Sequence, residues 1–150
     1  MNVVVSASTR FGGLHMTSYA KGDRKAARSW HSVEFSLAEA DDYLRQGRFD
    51  LALESSYRAF LRLAGMWLDV QGVAKARSAR VNIIDQLRHA GVSGQDWAER
   101  IGQYSRLRSR VMAGYDPLFF QDAARAVYAL ALELRESIQI GSLSDTESAA

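Results

Sequence analysis

Apolar residues recur at helical spacing through most of the chain, and the only proline is Pro117. The clearest stretch lies between Asp50 and Val70, where the apolar positions follow i, i+4, i+7, i+8 and i+11. Side chains at this spacing lie on one face of an α-helix. No segment in the domain alternates with period two for long enough to indicate a strand. The pattern therefore predicts an all-α protein, and the short connections favour a five-helix up-and-down bundle.

Local signals suggest where these helices begin and end. Ser36 and Glu39 form a capping-box pattern, which predicts a helix over 36–46 that stops before Gly47. Asp50 can cap the second helix. Ser78 predicts the start of a third helix, which ends before Gly91, a residue type favoured in the left-handed conformation that follows a helix.

Two further helices follow. Ser93 can open a helix that continues through Trp97 to Tyr115. Asp116 and Pro117 are typical of an N-cap and a first helical position, because proline lacks the N–H that would find no partner there. The last helix is predicted over 117–139 and should be mostly buried.

The two ends of the chain differ in charge from its middle. Residues 1–31 hold five basic residues and one acid without a clear period, which predicts a flexible basic arm. Residues 141–150 hold two acids and no base and are predicted to be a disordered acidic tail. The helical bundle domain is then 32–140, and a solvated tail is the simpler alternative for the arm.

Composition indicates the size of the core and the cellular location to be expected. The chain has 150 residues, 47% of them hydrophobic, which is enough for one core. It has no cysteine, so disulfides and thiolate metal sites are excluded, and a cytoplasmic location is expected. The N-terminal apolar run is too short for a signal peptide, and no uninterrupted apolar stretch reaches about 18 residues, so no membrane partner is expected.

One arginine lies on the apolar side of the predicted fourth helix. Placed on a helical wheel, Trp97, Ile101, Tyr104, Val111, Met112 and Tyr115 cluster around Arg108. A guanidinium directed at a core needs partners, because burying it alone would cost several kcal/mol. It can pair with a carboxylate, for which Asp41, Asp42, Glu54 and Asp116 are candidates, or its aliphatic stem can extend so that the charge reaches the edge of the core. Alternatively, it can face a cleft or dimer seam and bind a phosphate or another anion.

Two segments resemble HEPN domains, a family of small helical bundles common in prokaryotic defence and toxin–antitoxin systems. The segment 48–59, RFDLALESSYRA, resembles the family's long helix. The segment 108–116, RSRVMAGYD, looks like its second signature, an arginine followed four to six residues later by a histidine and often by a tyrosine. The resemblance covers about 36–140 in the order and spacing of the helices.

The resemblance implies a homodimer in which the arginine and histidine of this signature meet RNA in a groove between protomers. It implies that Arg108 and Tyr115 line this groove. Arg110 and Asp116 belong to the same segment and are further candidate ligand-binding residues. Ala113 occupies the position expected for the histidine and cannot transfer a proton. The predicted function is therefore non-catalytic binding of RNA, a nucleotide or another anionic ligand, without metal or cofactor. The basic arm and Lys75, Arg77 and Arg80 favour an acidic ligand.

Two other functions remain open. Tyr43, Gly47, Phe49 and Ala52 resemble part of a tetratricopeptide repeat, which would make the chain a module that binds a protein partner. No second copy follows at a period near about 34 residues, which such arrays need. The other function is an active ribonuclease that uses His89 or Tyr115 as a substitute base.

Overall fold

The structure is a computed structural model that describes the backbone of residues 5–73 and 82–148. Within these ranges it describes the side chains of residues 22–73, 82–145 and 147–148. The only regular secondary structure in the described residues is helix, with no strand, so the all-α prediction is confirmed. None of the helices in this described part is long and apolar enough to cross a membrane.

The chain divides into two compact units, Met1–Ser32 and Val33–Ala150. In order, its helices are α1 (Val5–Arg45), α2 (Phe49–Val70), α3 (Ile83–Arg88), α4 (Gly91–Gly102), α5 (Ser105–Val111), a 3-10 helix (Pro117–Phe120) and α6 (Gln121–Ser148). The core of the second unit lies mainly between α2 and α6, which pack closely on each other.

The periodic apolar residues of α2 and α6 form this core. Along α2, Leu53, Phe60 and Ala64 are fully buried. The apolar positions predicted for the last helix are all buried, namely Phe120, Ala124, Val127, Ala131, Leu134 and Ile138. From α1, Val33, Leu37 and Ala40 join the core. The helical periodicity therefore identified the buried faces of these helices correctly.

Helix α1 begins far earlier than the capping-box pattern predicted. Ser36 is buried inside the helix, and its hydroxyl oxygen accepts a hydrogen bond from Arg62 Nη1 at 2.8 Å. A capping box requires non-helical backbone before it. Here the preceding residues are helical from Val5, and 20–28 are mostly strong helix formers. The described side chains of 22–28 are exposed, and the flexibility of the arm stays a prediction.

Other helix ends show which local signals were decisive. Gly47 has a φ of 72° and lies two residues after the end of α1, so it acts as the predicted left-handed stop. Gly91 also has a left-handed φ, of 76°, but it is the first residue of α4, and α3 ends earlier, at Arg88. Asp116 accepts a hydrogen bond from Leu118 N at 2.8 Å and caps the 3-10 helix at Pro117, as predicted. Asp50 is not the cap of α2, because that helix begins at Phe49 after Arg48.

One further predicted boundary lies outside the described residues, and another falls elsewhere. Ser78 lies outside the described residues, and α3 is capped by Asn82, whose side chain accepts from Asp85 N at 2.9 Å. Helix α6 continues to Ser148 instead of ending near 139. Within this extension the hydroxyls of Ser142 and Ser144 donate to carbonyls of the preceding turn, which is compatible with continued helix.

Candidate functional site

The predicted helix from Ser93 to Tyr115 is interrupted. Helix α4 ends at Gly102, a turn follows at Gln103 and Tyr104, and α5 ends at Val111. Trp97 and Ile101 are buried as predicted, whereas Met112 and Tyr115 are 90% and 48% exposed. The prediction of a single apolar stripe around Arg108 was therefore wrong, because the turn changes the direction in which the side chains after it face.

Arg108 pairs with Glu54 of α2. Its Nε and Nη2 donate to Glu54 Oε2 and Oε1, both at 2.7 Å, in the bidentate geometry that suits a guanidinium. The two side chains are 34% and 29% exposed. Of the alternatives drawn from the sequence, the carboxylate pair is therefore present, and its partner is Glu54, one of the four candidates.

Tyr57 completes the support of Arg108. The guanidinium carbon lies 4.6 Å from the centre of the Tyr57 ring, within the range of a cation–π interaction. The Tyr57 hydroxyl is also 2.9 Å from Ser105 Oγ at the start of α5. Helix α5 has no fully buried residue, so these polar contacts add to the half-buried Leu107 and Val111 in attaching it to the rest of the unit. They also restrict the rotamers open to Arg108.

The charges of this cluster act on each other. The hydrogen bonds from Arg108 hold the pKa of the Glu54 carboxyl below its ordinary value, and partial burial opposes that shift. The same carboxylate raises the pKa of Arg108. Arg58 Nη2 is 3.9 Å from Glu54 Oε1 and contributes to the lowered Glu54 pKa. The three charged groups together carry one net positive charge.

An open cleft of about 930 Å³ lies beside this cluster. Its described lining comes from α2, from α3 with the preceding Asn82, and from α5 with the following Met112. The lining residues are Glu54, Tyr57, Arg58, Leu61, Asn82, Ile83, Ile84, Ser105, Arg108, Ser109 and Met112. Arg108 uses Nε and one N–H of Nη2 for Glu54, and its Nη1 makes no hydrogen bond with the described residues. Donors therefore remain for a ligand in the cleft.

The other predicted site residues do not line this cleft within the described part of the chain. Arg110 is exposed at the end of α5. Tyr115 packs its ring 5.3 Å from that of Phe119, and Asp116 serves as the cap of the 3-10 helix. Ala113 lies in the turn after α5, and Lys75, Arg77 and Arg80 lie outside the described residues.

Sequence reasoning missed Tyr57, Ser105 and the apolar wall formed by Leu61, Ile83 and Ile84. Glu54, Tyr57, Arg58 and Leu61 follow i, i+3, i+4 and i+7, so their shared face of α2 could have been recognised. Their closeness to α5 is a tertiary feature that no spacing reveals. In the described residues, no three His, Asp or Glu side chains come together as a metal site would require.

Comparisons of the chain with family models, curated proteins and solved structures gave no match.

Proposed function

We propose that this chain is a HEPN-like, non-catalytic helical homodimer that binds an anionic ligand, RNA or a nucleotide, in the Arg108 cleft. The setting implied by the resemblance is a prokaryotic defence or toxin–antitoxin system. The observation that carries the proposal is the state of Arg108, which is held in place by Glu54 and Tyr57 yet keeps N–H donors beside an open cleft. A guanidinium fixed in this way loses little further entropy when it binds a phosphate.

The surroundings of Arg108 also suit a nucleotide. Arg58 adds a second cation at the cleft, and the hydroxyls of Ser105 and Ser109 supply further hydrogen-bonding groups. Leu61, Ile83 and Ile84 provide apolar surface for a base or ribose. The described lining residues include no histidine, which supports binding over metal-independent RNA cleavage.

A salt titration with a fluorescein-labelled single-stranded RNA tests the proposal. Binding of the wild-type chain should weaken as salt rises, because phosphate contacts release counterions. Arg108→Ala should lower the affinity at low salt about tenfold and make the slope of log affinity against log salt shallower by about 0.7.

The matched control is Arg135→Ala, which removes another partly buried arginine that is paired with a glutamate, Glu34, at 3.1 Å. It should leave RNA affinity within about twofold of the wild-type value. Undetectable RNA binding at low salt, or equal losses in the two variants, would contradict a site at Arg108. Incubation with mixed RNA should give no cleavage above the Arg108→Ala background.

A further inference from the structure

Glu54 occupies only one edge of the planar Arg108 guanidinium. Nε and Nη2 donate along that edge to the two Glu54 oxygens, both at 2.7 Å. The adjoining edge consists of Nη1 and the second N–H of Nη2, which form a fork of the same geometry. Arg108 lines the cleft, and its Nη1 has no hydrogen-bond partner among the described residues. An anion that reaches Arg108 therefore binds at this second fork, beside the Glu54 carboxylate.

The carboxylate also sets the charge that the anion meets. Arg108 and Glu54 cancel each other. Arg58, whose Nη2 is 3.9 Å from Glu54 Oε1, leaves the cluster with one net positive charge. The other described residues that line the cleft are Tyr57 and a set of apolar, serine and asparagine side chains, all uncharged at neutral pH. A ligand with one negative charge therefore neutralises the described lining of the cleft.

A second negative charge on the ligand is disfavoured at this site. Electrostatic attraction to the cluster rises in proportion to the charge of the ligand, whereas the cost of taking the ligand out of water rises with its square. Leu61, Ile83 and Ile84 are half-buried aliphatic side chains of the same cleft and keep water from part of its surface. The two arginines without Glu54 would carry two positive charges and suit a dianion. With the carboxylate present, the lower charge is favoured.

The supply of hydrogen-bond donors favours the same ligand. A phosphodiester has two non-bridging oxygens, which is the number that one fork of a guanidinium satisfies, whereas a terminal phosphate has three. Ser109 Oγ donates to Ser105 O at 3.3 Å, and the Tyr57 hydroxyl is 2.9 Å from Ser105 Oγ. These hydroxyls are engaged within the protein, so the third oxygen of a terminal phosphate would compete with existing contacts for a donor.

We infer that the Arg108 cleft selects a singly charged phosphodiester over a doubly charged terminal phosphate, and that Glu54 is the residue that sets this preference. The inference rests on the proposed function for the position of the anion at Arg108. It narrows the ligand of that site to nucleotides joined through a phosphodiester, as in the interior of an RNA strand. Free nucleotides that end in a terminal phosphate are disfavoured because of their second charge.

Adenosine 5′-monophosphate and its methyl ester are the matched probes, because they differ by one methyl group and one ionisable oxygen. The second pKa of a terminal phosphate is about 6, so the monophosphate is mostly doubly charged at about pH 7.5, whereas the ester carries one charge. Titration of each probe into the full chain at about 0.1 M salt can be followed through the Arg108 Nε–H signal in ¹H–¹⁵N NMR spectra. The wild-type chain should bind the methyl ester about tenfold more tightly than the monophosphate at about pH 7.5.

The pH dependence of the wild-type chain provides a second measurement. The affinity for the monophosphate should rise about sixfold from about pH 7.5 to about pH 5.5, because most of this ligand becomes singly charged, and the affinity for the ester should not change. The described groups that face the anion are Glu54, Tyr57 and Arg58 from α2 and Arg108 from α5, and those from α3 are uncharged. Glu54 stays ionised over this range because the Arg108 guanidinium holds its pKa below the ordinary value. The change in affinity therefore originates in the ligand.

Glu54→Gln tests the role of the carboxylate. Glutamine removes the charge but keeps one oxygen that accepts a hydrogen bond from Arg108. At about pH 7.5 this variant should bind the monophosphate about tenfold more tightly than the wild-type chain does, so that the preference for the ester is lost. Glu34→Gln is the matched control, because it removes a carboxylate that pairs with Arg135 at 3.1 Å and lies outside the described lining of the cleft. It should change both affinities by less than about twofold.

The inference and the proposed function fail in different ways. If both probes bind at Arg108 with equal affinity, or if the monophosphate gains no affinity at about pH 5.5, the charge selectivity is wrong and the anion site remains. A Glu54→Gln variant that keeps its helices by far-ultraviolet circular dichroism and still prefers the ester would also overturn the role of Glu54. If neither probe shifts the Arg108 signal at up to about 10 mM, the anion site is removed together with its selectivity.

Discussion

Arg108 combines two properties that are often treated as alternatives. It is paired with a carboxylate through two hydrogen bonds of 2.7 Å, and it also lines an open cleft. An isolated guanidinium at this depth would bear a desolvation cost, which Glu54 offsets. Because Glu54 uses only part of the guanidinium, pairing and ligand binding are compatible in one residue.

The Glu54–Arg108 pair should stabilise the fold in a pH-dependent way. A double-mutant cycle with Glu54→Gln and Arg108→Gln can be measured by urea unfolding. It should give a coupling free energy of about 1 kcal/mol at pH 7. This value is lower than that of a buried pair because both side chains are about one-third exposed. The folded-state pKa of Glu54 is lowered, so its contribution is complete above the unfolded pKa of about 4.3 and is lost as pH falls through the folded pKa.

The exposed pair of Arg88 with Asp85, at 2.9 Å, is the control for that cycle. Its coupling should be about 0.3 kcal/mol, since it is a surface pair three residues apart on one helix. Equal coupling in the two cycles, or a Glu54 coupling that is the same at pH 7 and about pH 3, would show that the cleft pair behaves as an ordinary surface pair.

The helices differ in how far local sequence determines their ends. Gly47 stops α1 because glycine, which has no Cβ, adopts the left-handed backbone at little cost, and this holds in any tertiary context. At Ser36 the local capping signal does not decide where the helix begins. Its hydroxyl has a tertiary partner in Arg62, so the chain remains helical through a residue that could have been a cap. The turn after α4 is marked only by Gly102, a weak signal taken alone.

The corner between α3 and α4 depends on Gly94. A Cβ at this position would lie 2.3 Å from Leu87 O and 2.8 Å from Ala90 Cβ, so the corner must open to accept any side chain. Gly94→Ala should therefore lower the free energy of unfolding by about 1–3 kcal/mol in urea denaturation.

Gly102→Ala provides the matched control. A Cβ at Gly102 meets nothing within 4 Å, so alanine should be neutral or stabilise the helix by up to about 0.5 kcal/mol. A Gly94→Ala variant that is as stable as Gly102→Ala would mean that the corner adjusts without cost.

At the scale of the molecule, the second unit contains its own core. Its centre is formed by α2 and α6, with Val33, Leu37 and Ala40 added from α1. Deleting residues 1–32 should therefore leave a cooperatively unfolding protein whose Tm shifts by less than about 4 °C, which corresponds to less than about 1 kcal/mol in a domain of this size.

Deletion of 1–40 is the informative comparison, because it removes Val33, Leu37 and Ala40, which are at most 3% exposed. Loss of these buried side chains should lower the Tm by more than about 10 °C or abolish cooperative unfolding. Thermal circular dichroism measures both deletions, and a large shift on removal of 1–32 alone would refute the independence of the second unit.

The sequence by itself determined the helical class, the buried faces of α2 and α6, the end of α1 before Gly47 and the start of the 3-10 helix at Pro117. These features depend on spacing along one helix or on the backbone of one residue. Only the tertiary structure decided that α4 and α5 are separate, that Glu54 is the partner of Arg108, and that Met112 and Tyr115 are exposed. Those outcomes depend on how residues distant in sequence approach one another, and helical periodicity carries no information about distances between helices.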